Sequence, residues 1–267
     1  MALQRSTKSG MRNTLKRLNL RSRARAAALH LLISAAVALL AGALVFGLWY
    51  PGFYRTVSGG RDLFLLVTGV DVVLGPLLTF AVFNVAKGWK PLRRDLTAIG
   101  LVQIAALIYG MHTVYVVRPI ALTFEVDRFR VIAAADVYKQ ELPQARPAYR
   151  SLPLTGPWLL GTRAPKPGAE HTDAVFIGLQ GVNRADRPLF WQPYADSVPD
   201  VLARSRPLSA LLAHYPARAA EFRARLSELQ VDEATGRFLP LIARGDWVTV
   251  LDASGTVIGH LQADGFF

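Results

Sequence analysis

Asp71 is an acidic side chain set inside a long apolar run, and Tyr109 and His112 are polar groups inside another. A carboxylate in hydrocarbon costs about 2.5–3.5 kcal/mol on insertion scales, so it faces protein or water and takes a partner. At about 1.5 Å per helical residue, Asp71 stands about 21 Å above Val85, while Tyr109 and His112 stand about 20 and 24 Å above Leu96. The three groups therefore share a depth if the two runs are antiparallel helices. Such a cluster admits three readings. Asp71 can be hydrogen-bonded to Tyr109, His112 or Thr68 and pin a bundle together, it can meet a partner's membrane helix, or it can relay a proton or ion. A relay needs a chain of carboxylates through the membrane and this run supplies one, which argues against transport.

The other residue types capable of chemistry are scattered. His171, Thr172, Asp173, His214 and His260 could be assembled into a metal or acid–base site, but none has zincin or other recognised ligand spacing. No serine occupies a G-x-S-x-G elbow and no phosphate-binding G-x-x-x-x-G-K-[ST] loop is present. Cysteine is absent, which removes disulfides, thiolate metal sites and thiol catalysis. The expectation is a protein that is not an enzyme and holds no metal and no cofactor.

The elements that must position Asp71 are three apolar runs, residues 26–48, 63–85 and 96–117. Each exceeds the roughly 20 residues needed to cross about 30 Å of hydrocarbon. Ser34, Ala38 and Gly42 recur every four residues in the first run, and Ala106 with Gly110 does so in the third. Small residues let backbones approach where packing replaces the hydrophobic force. Pro76 after Gly75 removes a ladder hydrogen bond and predicts a kink, with Thr79 able to satisfy a freed carbonyl. Gln103 and Asn84 read as interhelical hydrogen-bonders or headgroup contacts. Trp49, Tyr50, Phe53 and Tyr54 suit the headgroup level and read as an interfacial belt.

The net charge of +12 is placed unevenly. Arg5, Lys8, Arg12, Lys16, Arg17, Arg21, Arg23 and Arg25 precede the first run without an acid, and Lys87, Lys90, Arg93 and Arg94 lie between the second and third. Basic segments stay on the cytoplasmic side. The tail, residues 1–25, and the second loop are thus expected inside, and the first loop and residues 118–267 outside. The excess reads as a topology signal and lipid contact rather than as nucleic-acid binding. The first run is longer than a secretory h-region and lacks a small-residue cleavage site, so it reads as an uncleaved signal anchor.

Residues 118–267 read as one α+β domain with a small antiparallel sheet, large enough for its own core. Leu122–Val126 and Phe129–Ile132 form an expected hairpin, as do Trp247–Leu251 and Thr256–Leu261 around Asp252-Ala253-Ser254-Gly255. Ala133–Glu141 reads as a short helix, 143–167 as irregular proline-rich surface chain, and Ala174–Leu179 as a buried strand. Ser205 reads as a helix start signal, and Pro216 as the start of a further turn leading into an amphipathic helix with Phe222, Leu226 and Leu229 on its apolar face.

The run Val70 to Asn84, followed by Lys87 and Leu92-Arg93-Arg94-Asp95-Leu96, resembles the TfpX/TfpZ family of type IV pilin accessory proteins. Trp49-Tyr50-Pro51, Gly59-Gly60, Tyr109-Gly110, Arg118-Pro119 and Phe124 to Phe129 continue the pattern in order. The resemblance covers residues 30–137. It implies a bacterial inner-membrane protein, chaperone-like and without catalytic residues, that helps its cognate major pilin reach or persist in the fibre, with other pilus assembly components of the inner membrane as further partners. The chain has no pilin-type leader and reads as the attendant of the fibre. The rival readings are a membrane-anchored periplasmic enzyme, for which His171, Asp173, His214 and His260 would have to converge, and a signal-transducing membrane protein, for which the cytoplasmic segments are short.

Overall fold

The computed structural model describes residues 2–267, with side chains from Asn19 onward. Arg5, Lys8, Arg12, Lys16 and Arg17 of the expected basic tail lie outside the described side chains. Contacts divide the chain into two units, one of residues 1–47 and 61–115, the other of residues 48–60 and 116–267.

The first unit is helical. Helix α1 (Ala2–Leu44) runs into one turn of π-helix at Val45–Trp49, and the four-residue α2 (Tyr54–Val57) follows in the connecting segment. Helices α3 (Gly60–Val82) and α4 (Trp89–Val116) complete the set. Three stretches, Asn19–Trp49, Gly60–Val82 and Trp89–Val116, are long and apolar enough to cross a membrane. Their leucines and valines point outward, Leu39 and Leu40 being 75% and 73% exposed, which is costly in water and favourable in hydrocarbon. Pro76 lies within α3, which continues past it for another six residues.

The second unit is built on one mixed sheet. Strands β1 (Pro119–Glu125) and β2 (Arg128–Ala133) pair antiparallel, with Val126 at positive φ in the turn. Strand β3 (Trp158–Thr162) lies parallel to β1 and carries β4 (Trp191–Pro193) antiparallel on its far side. The two-residue β5 (Arg206–Pro207) pairs with β6 (Arg237–Ala243), which is parallel to β2. Strands β7 (Gly245–Leu251) and β8 (Val257–Leu261) close the order β4-β3-β1-β2-β6-β7-β8. The expected small antiparallel sheet is thus corrected to an eight-stranded sheet with two parallel pairs. Helices α5 (Ala169–Leu179), α6 (Val198–Arg204), α7 (Leu208–His214) and α8 (Ala219–Glu228) complete the unit.

Both expected hairpins are present. The second turns on Asp252, whose carboxylate accepts the Ser254 and Thr256 amides at 2.8 and 2.9 Å, a side chain standing in for a backbone turn. The amphipathic helix is α8, with Phe222 and Leu226 buried against Leu208, Leu211 and Phe238. Arg218 just before it and Arg223 and Arg225 within it are matched on the surface by Glu221, Glu233 and Glu228.

Other local expectations are corrected. Ala174–Leu179 belongs to helix α5, which buries no residue. The proline-rich stretch contributes β3, whose Leu160 is 2% exposed. In place of a helix over 133–141, a turn leads to a 3-10 segment at Lys139–Gln144. Ser205 caps the C-terminal end of α6 and accepts a hydrogen bond from Arg237 at 2.6 Å, and Pro207 precedes α7.

The segment 48–60 departs most from expectation. Val57 is fully buried among Leu122, Phe124 and Leu241, with Phe53 and Tyr54 packed on the same cluster. The Arg244 amide donates to the Val57 carbonyl at 2.9 Å, and the Gly156 amide to the Leu48 carbonyl at 2.7 Å. Phe53 stacks on His260 with ring centroids 3.9 Å apart and meets Trp247 edge-on at 5.0 Å. A Cβ on Gly60 would collide with the Tyr50 ring. Tyr50, Phe53 and Tyr54 are therefore core residues of the sheet unit rather than an outward belt. Apolar rings suit either place, and the loop's closure by backbone hydrogen bonds decides between them.

Candidate functional site

A cleft of 210 Å³ opens among α1, α3 and α4. Helix α1 contributes His30, Ser34 and Ala38, helix α3 contributes Thr68 and Asp71, and helix α4 contributes Gly100 and Gln103. The small side chains on α1 and α4 leave the space, because neither a serine, an alanine nor a glycine fills the volume of a leucine. Leucine, isoleucine and valine side chains complete the wall, so the cleft is apolar with a few convergent polar groups.

Two of those polar groups, Gln103 and His30, join one helix to another. Gln103 Nε2 donates to the Asp71 carbonyl at 3.1 Å. A Cβ on Gly75 would overlap the Gln103 amide, so the glycine before Pro76 is what admits that side chain. His30 Nδ1 and Thr79 Oγ1 are 2.6 Å apart and join α1 to α3. The Thr79 hydroxyl is therefore engaged with an imidazole rather than with a carbonyl freed by Pro76. Thr68 donates to the Phe64 carbonyl within its own helix at 2.7 Å.

Of the residues singled out in the sequence, Asp71, Ser34 and Ala38 line this cleft. Gly42 faces Phe64, to which a Cβ would stand at 3.2 Å, and Gly110 receives Val67. Tyr109 is 75% exposed, and His112 and Ala106 are also exposed. None of the three joins Asp71 in the cleft. His30 and Gln103 take the place expected for Tyr109 and His112. Rise per residue gives depth but not azimuth, and at 100° per residue a neighbour at the right height can face away.

The histidines of the outer unit stand in separate surroundings. His260 stacks on Phe53 and lies 3.4 Å from Thr249 Oγ1, and burial pushes its imidazole down to about 4. His214 stacks on Phe267 at 3.7 Å, and His171 lies on the exposed α5. Among the described residues, no group of three or more His, Asp or Glu side chains is placed to hold a metal ion.

Three helices long and apolar enough to cross a membrane, together with a unit of helices on a mixed sheet, define the class of the chain. The profile of the family described as fimbrial assembly protein FimB matches residues 18–59. The chain is 33% identical over 246 residues to the serogroup E1 fimbrial assembly protein of Dichelobacter nodosus, covering 91% of this chain and 96% of that protein. The serogroup I protein of the same organism matches to the same extent. The protein of serogroups C1 and C2 is 42% identical over 122 residues, 46% of this chain and 93% of its own length. No solved structure matches the chain. The chain belongs to the fimbrial assembly protein family. These relatives show that family and do not single out TfpX/TfpZ.

Proposed function

We propose that this protein acts in fimbrial assembly as a non-enzymatic, chaperone-like accessory factor of the bacterial inner membrane. Its three apolar helices cross the bilayer, with the basic tail cytoplasmic and the sheet unit periplasmic. It holds a type IV pilin before assembly by two contacts, the subunit's apolar helix in the cleft beside Asp71 and its head at the sheet unit. The observation that carries this reading is the cleft itself, an apolar recess bounded by Ser34 and Ala38 in a helix set with outward leucines, within a family named for fimbrial assembly. A helix arriving from lipid gains van der Waals contact where small residues let it approach. Two linked weak contacts raise the effective concentration of each other into the millimolar range for a short tether, so neither needs to be tight and release stays fast.

Crosslinking in membranes followed by purification tests the proposal. The cognate fimbrial subunit should be enriched over unrelated membrane proteins. Ser34→Leu with Ala38→Leu, which fills the recess, should reduce that enrichment about tenfold or more, an amount set by losing about 1.4 kcal/mol or more of contact. Equal recovery of the subunit and of unrelated proteins, or full enrichment by the filled variant, would overturn it.

A further inference from the structure

A second cleft, of 390 Å³, lies in the sheet unit between the β1–β2 turn and helix α5. Its charged lining consists of Glu125, Asp127, Arg128, Arg130, Arg184 and Arg187. The acids are already engaged. Glu125 accepts from Arg130 Nε at 2.8 Å and from the Ala185 amide at 2.9 Å, one bond to each carboxylate oxygen. Asp127 is held by both Nε and Nη2 of Arg128, at 2.7 and 3.2 Å. Arg187 is buried, 3% exposed, and is bound through Nε and Nη2 to Glu141, but its Nη1 is buried without a hydrogen-bond partner among the described residues. Arg184 makes no side-chain hydrogen bond among the described residues. Desolvation holds its guanidinium below the ordinary value, with Glu125 opposing. A half-buried guanidinium has lost water without regaining a partner, which a bound anion would repair.

The cleft's other wall is apolar. Ala174, Val175 and Gly178 of α5 line it with Val126, Pro165 and Phe190. Beyond the rim, Thr172, Val175, Phe176 and Leu179 fall on one stripe of α5, and the last three are 50%, 62% and 79% exposed. A soluble helix that turns its apolar stripe outward and buries no residue lacks its cover.

We propose that this cleft binds a peptide segment of a protein partner, seating a carboxylate on Arg184, beside the buried positive charge of Arg187, while an adjacent apolar side chain covers Val175 and Phe176. The cationic floor selects an anion and the apolar wall selects a side chain beside it, so a peptide alternating acidic with leucine or phenylalanine residues meets both. The site is separate from the cleft among the long helices, and its occupancy does not depend on that reading.

Fluorescence anisotropy on the full chain in detergent provides the test. The probe is a labelled, acetylated peptide alternating glutamate with leucine and phenylalanine, compared with its glutamine counterpart. The acidic peptide should bind about tenfold or more tightly, the worth of one charge-assisted hydrogen bond. Arg184→Gln should abolish that preference, and Phe176→Ser should weaken both peptides alike. Neither side chain carries a hydrogen bond or a buried contact whose loss would unfold the unit, and an unchanged melting temperature verifies this. Equal binding of the two peptides, a preference that survives Arg184→Gln, or complete displacement by millimolar inorganic phosphate would overturn the proposal, the last by showing a small-anion site. Because the chain has no cysteine, Phe176→Cys offers a unique label, and its quenching by spin-labelled lipid in nanodiscs would place α5 on the membrane and likewise overturn it.

Discussion

Acidification should loosen the sheet unit through one imidazole. Burial holds the folded His260 at about 4, whereas an unfolded imidazole titrates near 6.5. Between those values the unfolded chain binds a proton that the folded chain refuses, so stability rises with pH there. The contribution is full above pH 6.5 and is lost as the pH falls toward 4. Taken from pH 8 to pH 5, the loss is on the order of 2 kcal/mol, or about 4–8 °C in melting temperature for a unit of this size. The assay is a tryptophan-fluorescence melt of the full chain in detergent, since Trp247 sits edge-on to Phe53, the ring that stacks on His260. His260→Phe keeps an aromatic ring against Phe53 and removes the titration. Glu170, held at about 2 by the Arg163 hydrogen bond and the Lys166 amide, titrates below this window. Asp186, raised by desolvation, acts in the opposite sense, but equally in both proteins. The wild type should therefore lose about 4–8 °C more than the variant between pH 8 and pH 5. Equal slopes in the two proteins would refute the reasoning.

Two further variants probe interior contacts. Glu141→Ala strands the buried Arg187, whose Nε and Nη2 it holds at 2.9 and 2.5 Å, and should cost about 3–5 kcal/mol in chemical denaturation; a loss below about 1 kcal/mol would mean that water replaces the carboxylate. Gly75→Ala pushes a methyl group into the Gln103 amide and should cost about 1–3 kcal/mol, with part of the loss recovered in Gly75→Ala with Gln103→Ala; strictly additive effects in melts of the four proteins would show that the two positions do not touch.

The long helices were legible because length and apolarity decide them, and the two hairpins because their turns are local chemistry, Asp252 above all. Helix α5 was not. Its Ala174-Val175-Phe176-Ile177 run satisfies a buried strand as well as a helix, and only an outward-facing stripe, which a core would forbid, accounts for it. The parallel pairings of β3 with β1 and β6 with β2 join segments far apart in sequence, and no local pattern records such partners. Strand β3 was hidden further by the prolines around it. In the candidate site, the small residues Ser34 and Ala38 were readable from their four-residue spacing. His30 as the hydrogen-bond partner of Thr79 and Gln103 as the contact to the Asp71 backbone required the azimuth of each helix, which rise per residue does not give.

Segment 48–60 lies between two long helices in sequence and belongs to the sheet unit by packing. Its Val57 is fully buried and its Tyr50 ring leaves no room for a side chain at position 60. Chain continuity then joins it to α1 on one side and α3 on the other, the helices that supply Ser34, Ala38 and Asp71 to the cleft. The segment is core of the sheet unit, with Phe53 stacked on His260 and Val57 among Leu122, Phe124 and Leu241.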